Sequence, residues 1–233
     1  MITEQERASW DRDGYVIRRG VFSPEEVRAM ISHYMELNAQ GEHPGDFAGI
    51  PTGDANDPLL KFPRLIQMHQ YDEFSMGWAS DSRIVNPASE LMQQTAILNQ
   101  TMLYYKPAGA RGQSFHQDCL YIRIHPLIGV WVALDAADEE NGTMVMAPGS
   151  HHLGLLRGEE ADIKWSFTGE QTAMPSGQPL VPAILQPGDA IFFDGFCIHG
   201  SYPNKSFDRF RRAFICHFQG ANAEALGGES QLH

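Results

Sequence analysis

The strongest constraint on how this chain can fold lies beyond Gln100, where the sequence breaks into short apolar runs closed by Gly or Pro turns. Thr101–Lys106 reads as a strand ending at Pro107, and Ile128–Leu134 is so uniformly apolar that it reads as a strand buried on both faces. Asn141-Gly142 turns the chain into Thr143–Ala147, Pro187-Gly188-Asp189 turns it into Ala190–Phe193, and Ala213–Phe218 is the last clear strand. Helix signals come earlier. Thr3 with Glu6 forms a capping box, and Ser23-Pro24-Glu25-Glu26 opens a second helix with Val27, Met30, Ile31 and Tyr34 at helical spacing. Asp81–Gln94 has Ile84, Val85, Ala88, Leu91 and Met92 on one side, and Gly14–Arg18 is a short strand. Helices first, strands later and no βαβ alternation predict a mainly β chain of the α+β class. The expected form is an antiparallel sandwich or barrel with N-terminal helices packed on one sheet.

Two stretches have no periodicity. Residues 38–62 alternate Gly41, Gly45, Gly49 and Gly53 with Pro44, Pro51 and Pro58, and residues 157–183 carry Trp165 and Phe167. Segments this long are either functional lids or surface loops, and both readings stand. The 233 residues, 42% of them hydrophobic, suit one domain over 1–233. A helical buttress and lid would occupy mostly 1–99, the strand core 100–220, and a loose tail 221–233.

A net charge of -12 argues against nucleic-acid or anionic-membrane partners and leaves a small molecule as the expected ligand. Arg209, Arg211 and Arg212 could still bind a small anion. Cys119, Cys197 and Cys216 sit in apolar runs without a CxxC pair and read as buried small hydrophobes, although Cys197 shares strand parity with His199. There is no bilayer-length apolar run and Met1–Glu6 lacks a signal pattern, so a cytoplasmic location is expected.

The candidate chemistry lies in Ser114–Ile122. Residues two apart on a strand share a face, so His116 and Asp118 are expected to project together, with Phe115, Gln117 and Cys119 opposite. A second imidazole, His199, would complete a 2-His-1-carboxylate set of the kind used by non-haem Fe(II) oxygenases; zinc could use the same ligands. A lone His-X-Asp arises readily by chance, so the weight rests on its conjunction with His199 and Arg211. Parity puts Arg211 on one face with Ala213, Ile215 and His217.

Taken in order, Asp13-Gly14-Tyr15-Val16-Ile17, His116-Gln117-Asp118, Trp131 with Asn141-Gly142, Pro148-Gly149-Ser150-His151, Pro187-Gly188-Asp189, His199-Gly200-Ser201 and Phe210-Arg211-Arg212-Ala213 carry a family pattern. The chain resembles the phytanoyl-CoA dioxygenase family of Fe(II)/2-oxoglutarate oxygenases over nearly its whole length. The resemblance implies a double-stranded β-helix, a cupin-like jelly roll with helices buttressing one sheet. It implies His116, Asp118 and His199 as iron ligands and Arg211 and Ser201 on the distal carboxylate of 2-oxoglutarate. Met102, Gln117 and Trp131, with Lys61, match further co-substrate contacts. The loop from His199 to Arg211 is one residue longer than the family pattern implies, with Phe207 as the extra residue, which makes Arg212 an alternative anchor. Gln117 faces away from His116 by parity, so its contact would need a bulge or a backbone role.

The implied activity couples O2 and the decarboxylation of 2-oxoglutarate to succinate and CO2 with hydroxylation of an unactivated C–H bond in a small molecule. Asp118 stands where related halogenases have Gly or Ala, which disfavours halogenation. Neither long insertion is noticeably basic, which disfavours a CoA thioester. The alternatives are the same triad holding Zn or Mn for non-oxidative chemistry, or a non-catalytic jelly-roll binder. His151 reads equally as a residue near the co-substrate or as a turn residue, and Tyr104 as a pocket border or a core aromatic. The acidic run Asp135 to Glu140 reads as a solvated surface.

Overall fold

The fold is taken from a computed structural model that describes residues 1–227. Both expected capping boxes form. Thr3 and Glu6 cap α1 (Glu4–Asp13), Ser23 and Glu26 cap α2 (Pro24–Ala39), and between them lies β1 (Tyr15–Arg18). Gly14 ends α1 at φ 80°, a left-handed conformation that glycine adopts without a Cβ clash. Then follow α3 (Pro58–Lys61), β2 (Leu65–Ile66), α4 (Glu73–Ala79), α5 (Ser82–Met92), β3 (Ala96–Tyr104), β4 (Gln113–His116) and α6 (Asp118–Ile122). The remaining elements are β5 (Ile124–Ala133), β6 (Met144–Met146), β7 (Gly158–Glu160), β8 (Glu170–Thr172), β9 (Val181–Pro182), β10 (Ala190–Asp194), β11 (His199–Ser201) and β12 (Ala213–Ala225).

The strands form the two facing antiparallel sheets of a jelly roll. One has the order β1-β10-β5-β12-β3-β2, the other β4-β11-β6-β9, and β7 and β8 make a separate hairpin. Strand parity splits the core. Val130 and Val132 of β5, Phe192 of β10 and Phe214, Cys216 and Phe218 of β12 pack on Met30, Tyr34, Ile84 and Ala88 of the helices. Their alternates Trp131, Ile191, Phe193, Ala213 and Ile215 face Met144 and Met146 of the smaller sheet. This double coverage is why β5 reads as an unbroken apolar run.

Two expectations need correction, and two stretches left open gain definition. The tail is not loose from 221: β12 runs on to Ala225, pairing Glu224 with His125 and Ala225 with Ile124, while 228–233 lie outside the described residues. Residues 118–122 do not continue a strand, because β4 stops at His116 and Asp118 opens α6. The two patternless stretches acquire local structure. Phe47, ahead of α3, bridges to Arg64, just after it, and 157–183 contains the β7–β8 hairpin and β9. Among the described residues no helix is long and apolar enough to cross a membrane.

Candidate active site

Two histidines are brought together by strand pairing. His199 on β11 lies directly opposite His116 on β4, and a register shift follows before Ser201 pairs with Gln113. Each imidazole is oriented from behind. Nδ1 of His116 donates to the Ser114 carbonyl at 2.7 Å and Nδ1 of His199 to the Cys197 carbonyl at 3.0 Å. With the proton on Nδ1, both Nε2 lone pairs face the cavity, the tautomer a metal ligand requires. Burial, and then His116, push His199 down to about 4, so its imidazole is neutral at pH 7.

Asp118 reaches the same point by a different route from the expected parity. As the first residue of α6 it sets Oδ1 3.5 Å from His116 Nε2 and 3.7 Å from His199 Nε2. Its Oδ2 accepts from His217 Nε2 at 2.8 Å. Burial alone would raise the Asp118 carboxyl, but His217 and His199 outweigh it and hold the group well below the usual carboxylate range. One ligand atom from each of His116, Asp118 and His199 lies within 4.8 Å of the others, and all three residues are buried. A carboxylate and two imidazoles converging in this way fit a divalent ion of the iron or zinc type.

The triad sits in the wall of a cavity of about 510 Å³ between the sheets, lined also by Met102, Trp131, Ser201 and Arg211. Arg211 lies just ahead of β12, almost wholly buried, with its guanidinium 5.1 Å from the Trp131 ring. Its Nε donates to the Gly142 carbonyl at 3.1 Å, while Nη1 is buried without a partner. Burial lowers Arg211 to about 10, so it stays charged, and an unpaired buried guanidinium calls for an oxyanion. Arg212 is spent elsewhere, on Asp135 at 2.8 Å. Phe207, read from sequence as the extra residue of this loop, is 97% exposed, while Arg211 lines the cavity.

Two expected contacts lie away from the cavity. The Gln117 amide is consumed by backbone: Nε2 donates to the Gly154 and Phe196 carbonyls and Oε1 accepts from Leu156 N. Lys61 is exposed on α3, its ammonium over the neighbouring Phe62 ring, and does not line the cavity. His151 likewise stands outside it, its ring tilted against that of His152. Cys197 is buried beside Ser150, with burial pushing its thiol up to about 12. Phe167 packs edge-on against Tyr104, and Thr168, Gly169 and Glu170 border the cavity, whereas Trp165 does not.

Several residues of the site were not singled out from sequence. His217 was legible by parity with Arg211 and Ile215, but its link to Asp118 was not. Gln113 donates from Nε2 to His116 Nε2 at 3.1 Å, a contact a metal would replace. Lys106 gives no sequence signal. Its backbone has φ 42°, and its buried amine donates to Ser201 Oγ and the Gly142 carbonyl, each at 2.9 Å. Burial, then Arg211, push this amine well below the usual lysine range.

Fold and cavity together define a cupin-like jelly roll with a candidate metal centre between its sheets. The family model described as phytanoyl-CoA dioxygenase (PhyH) matches residues 10–213, and the chain belongs to that family. It is 31% identical to human (Homo sapiens) peroxisomal phytanoyl-CoA dioxygenase over 241 residues, covering 97% of this chain and 71% of that protein. Among solved structures, EvdO2 from Micromonospora carbonacea var. aurantiaca in complex with 2-oxoglutarate superposes with a TM-score of 0.78 at 23% identity, covering 97% of this chain and 94% of that one. The epimerase SnoN in complex with Fe3+, alpha ketoglutarate and nogalamycin RO gives 0.77 at 22% identity, with 96% and 86% covered.

Proposed function

We propose that the protein is an Fe(II)- and 2-oxoglutarate-dependent hydroxylase acting on an unactivated C–H bond of a small molecule. His116, Asp118 and His199 would hold the iron, and Arg211 with Ser201 would bind the distal carboxylate of 2-oxoglutarate. The observation that carries the reading is the pairing of a buried, converging His/Asp/His set with a buried guanidinium that lacks an anion in the same cavity. Bound iron and 2-oxoglutarate supply the activation of O2, with succinate and CO2 as co-products.

The protein's own residues do the positioning. His217 occupies Oδ2 of Asp118 and so would leave Oδ1, which faces His116, to hold the ion. Trp131 forms an apolar wall against which the Arg211 guanidinium is fixed, and Ser201 Oγ, held by Lys106, offers a further hydrogen-bonding atom beside it. Met102, Phe193 and Ile215 complete a largely apolar lining that strengthens these polar contacts. The complete carboxylate ligand supports hydroxylation over halogenation. Anaerobic addition of Fe(II) and 2-oxoglutarate to purified protein should give a visible charge-transfer band that His116→Ala or Asp118→Ala abolishes. In air, succinate should form with consumption of O2. Folded, iron-loaded protein that shows neither band nor succinate would overturn the reading, and tight zinc binding in its place would favour non-oxidative chemistry.

A further inference from the structure

A second arginine lines the cavity. Arg64, between α3 and β2, stands where the residue 43–64 segment meets the sheet, through the Phe47–Arg64 bridge. Its guanidinium carbon lies 4.2 Å from the Phe167 ring centroid, 4.7 Å from Phe47 and 5.1 Å from Tyr104. Its side-chain hydrogen bond goes from Nη1 to Tyr104 Oη at 2.9 Å, and Nε is buried without a partner. Three other arginines withdrawn from solvent are matched by acids: Arg111 by Asp57, Arg83 by Glu26 and Asp81, and Arg212 by Asp135. Arg64 forms no ion pair among the described residues.

Arg64 and Arg211 have different immediate partners. Arg211 lies over Trp131 and donates to the Gly142 carbonyl, whereas Arg64 connects through Tyr104 Oη and Gln113 to His116 Nε2. A divalent ion and the two carboxylates of 2-oxoglutarate, set against Asp118 and Arg211, leave Arg64 as an uncompensated interior cation. The other acid on the lining, Glu170, is exposed at the rim and screened by solvent. Around Arg64 the walls are aromatic and aliphatic, with Phe47, Ile50, Ile66 and Tyr104.

We infer that Arg64 is the anchor for an oxyanion of the primary substrate, which is therefore a compact molecule with a carboxylate or phosphonate at one end and an apolar body. This rests on the proposed function, because it assigns the co-substrate to Arg211. The test uses protein loaded anaerobically with Fe(II) and saturating 2-oxoglutarate. Octanoate, 3-phenylpropionate and phenylphosphonate are titrated by calorimetry against octanamide and 3-phenylpropionamide. At least one acid should bind about tenfold or more tighter than the amides, consistent with a charge-assisted hydrogen bond. Carboxylate against phosphonate preference identifies the anion. Arg64→Met should erase the advantage and Arg64→Lys should restore part of it, while the 2-oxoglutarate band persists and circular dichroism is unchanged. Three results would overturn the inference: no acid outbinding the amides, an advantage that survives Arg64→Met, or loss of the band in Arg64→Met. The last would assign Arg64 to the co-substrate. A missing band in the unsubstituted protein would instead count against the proposed function.

Discussion

His217 Nε2 stands 2.8 Å from Asp118 Oδ2, which joins the last strand of the larger sheet to the first residue of α6. Because β4 ends at His116, no strand ladder fixes the Asp118 side chain, and His217 takes that role. His217→Ala should leave the fold intact but lower metal affinity by about 10- to 100-fold, the usual cost of losing a partner behind a ligand. Competition with a chromophoric chelator measures it. A purely structural role for His217 would move the melting temperature and leave metal affinity unchanged.

Arg211 and Arg212 are adjacent in sequence but should behave differently. Arg211→Met removes the cavity's buried guanidinium and should weaken 2-oxoglutarate binding by two orders of magnitude or more, about 3 kcal/mol for charged hydrogen bonds. Arg212→Met breaks a part-buried pair with Asp135 and should cost about 1 kcal/mol of stability with little effect on 2-oxoglutarate. Titration of the anaerobic band and thermal melts separate the two.

Lys106 makes stability depend on pH. Its amine is held below the ordinary lysine range in the fold, whereas the unfolded chain binds the proton up to about pH 10. Between those limits the unfolded state carries the extra proton, so stability should rise with pH, by at most about 1.4 kcal/mol per unit. Lys106→Met should flatten this rise relative to the unsubstituted protein in urea titrations between about pH 7 and 9.5. An identical slope in both proteins would contradict the placement of the amine.

Gly112 is a packing constraint beside the site. A Cβ there would meet the Ser201 carbonyl oxygen at 2.1 Å and Tyr202 C at 2.8 Å, both backbone atoms of the β11 segment. Gly112→Ala should cost about 1–3 kcal/mol, as overpacking does, and should also weaken 2-oxoglutarate binding by displacing Ser201. Denaturant melts and band titration report the two effects.

The frame of the molecule was legible because its signals are local. The Thr3–Glu6 and Ser23–Glu26 boxes fix helix starts, and β5 reads as buried on both faces because helices and a second sheet do cover it. Asp118 was placed by strand parity, which fails where α6 begins, although the aspartate still reaches the two histidines. Gln117 could not be resolved from sequence, since its amide partners at 154, 156 and 196 are brought to it only by tertiary folding. Lys106 and Arg64 were invisible for a related reason. What marks them is a missing acid, and the want of a partner in space leaves no trace in spacing or composition.

The candidate ligands come from both halves of the jelly roll: His116 and His199 from the smaller sheet, and Asp118 tethered through His217 to the larger one. An ion held by all three acts as a rivet between layers that otherwise meet mainly through apolar side chains. Loading would then clamp the sandwich shut at the end where the cavity lies, adding about 2.7 kcal/mol when free metal is at a hundred times its dissociation constant. Stripping the ion would let the two layers breathe against each other, so catalytic readiness and mechanical rigidity would be lost together.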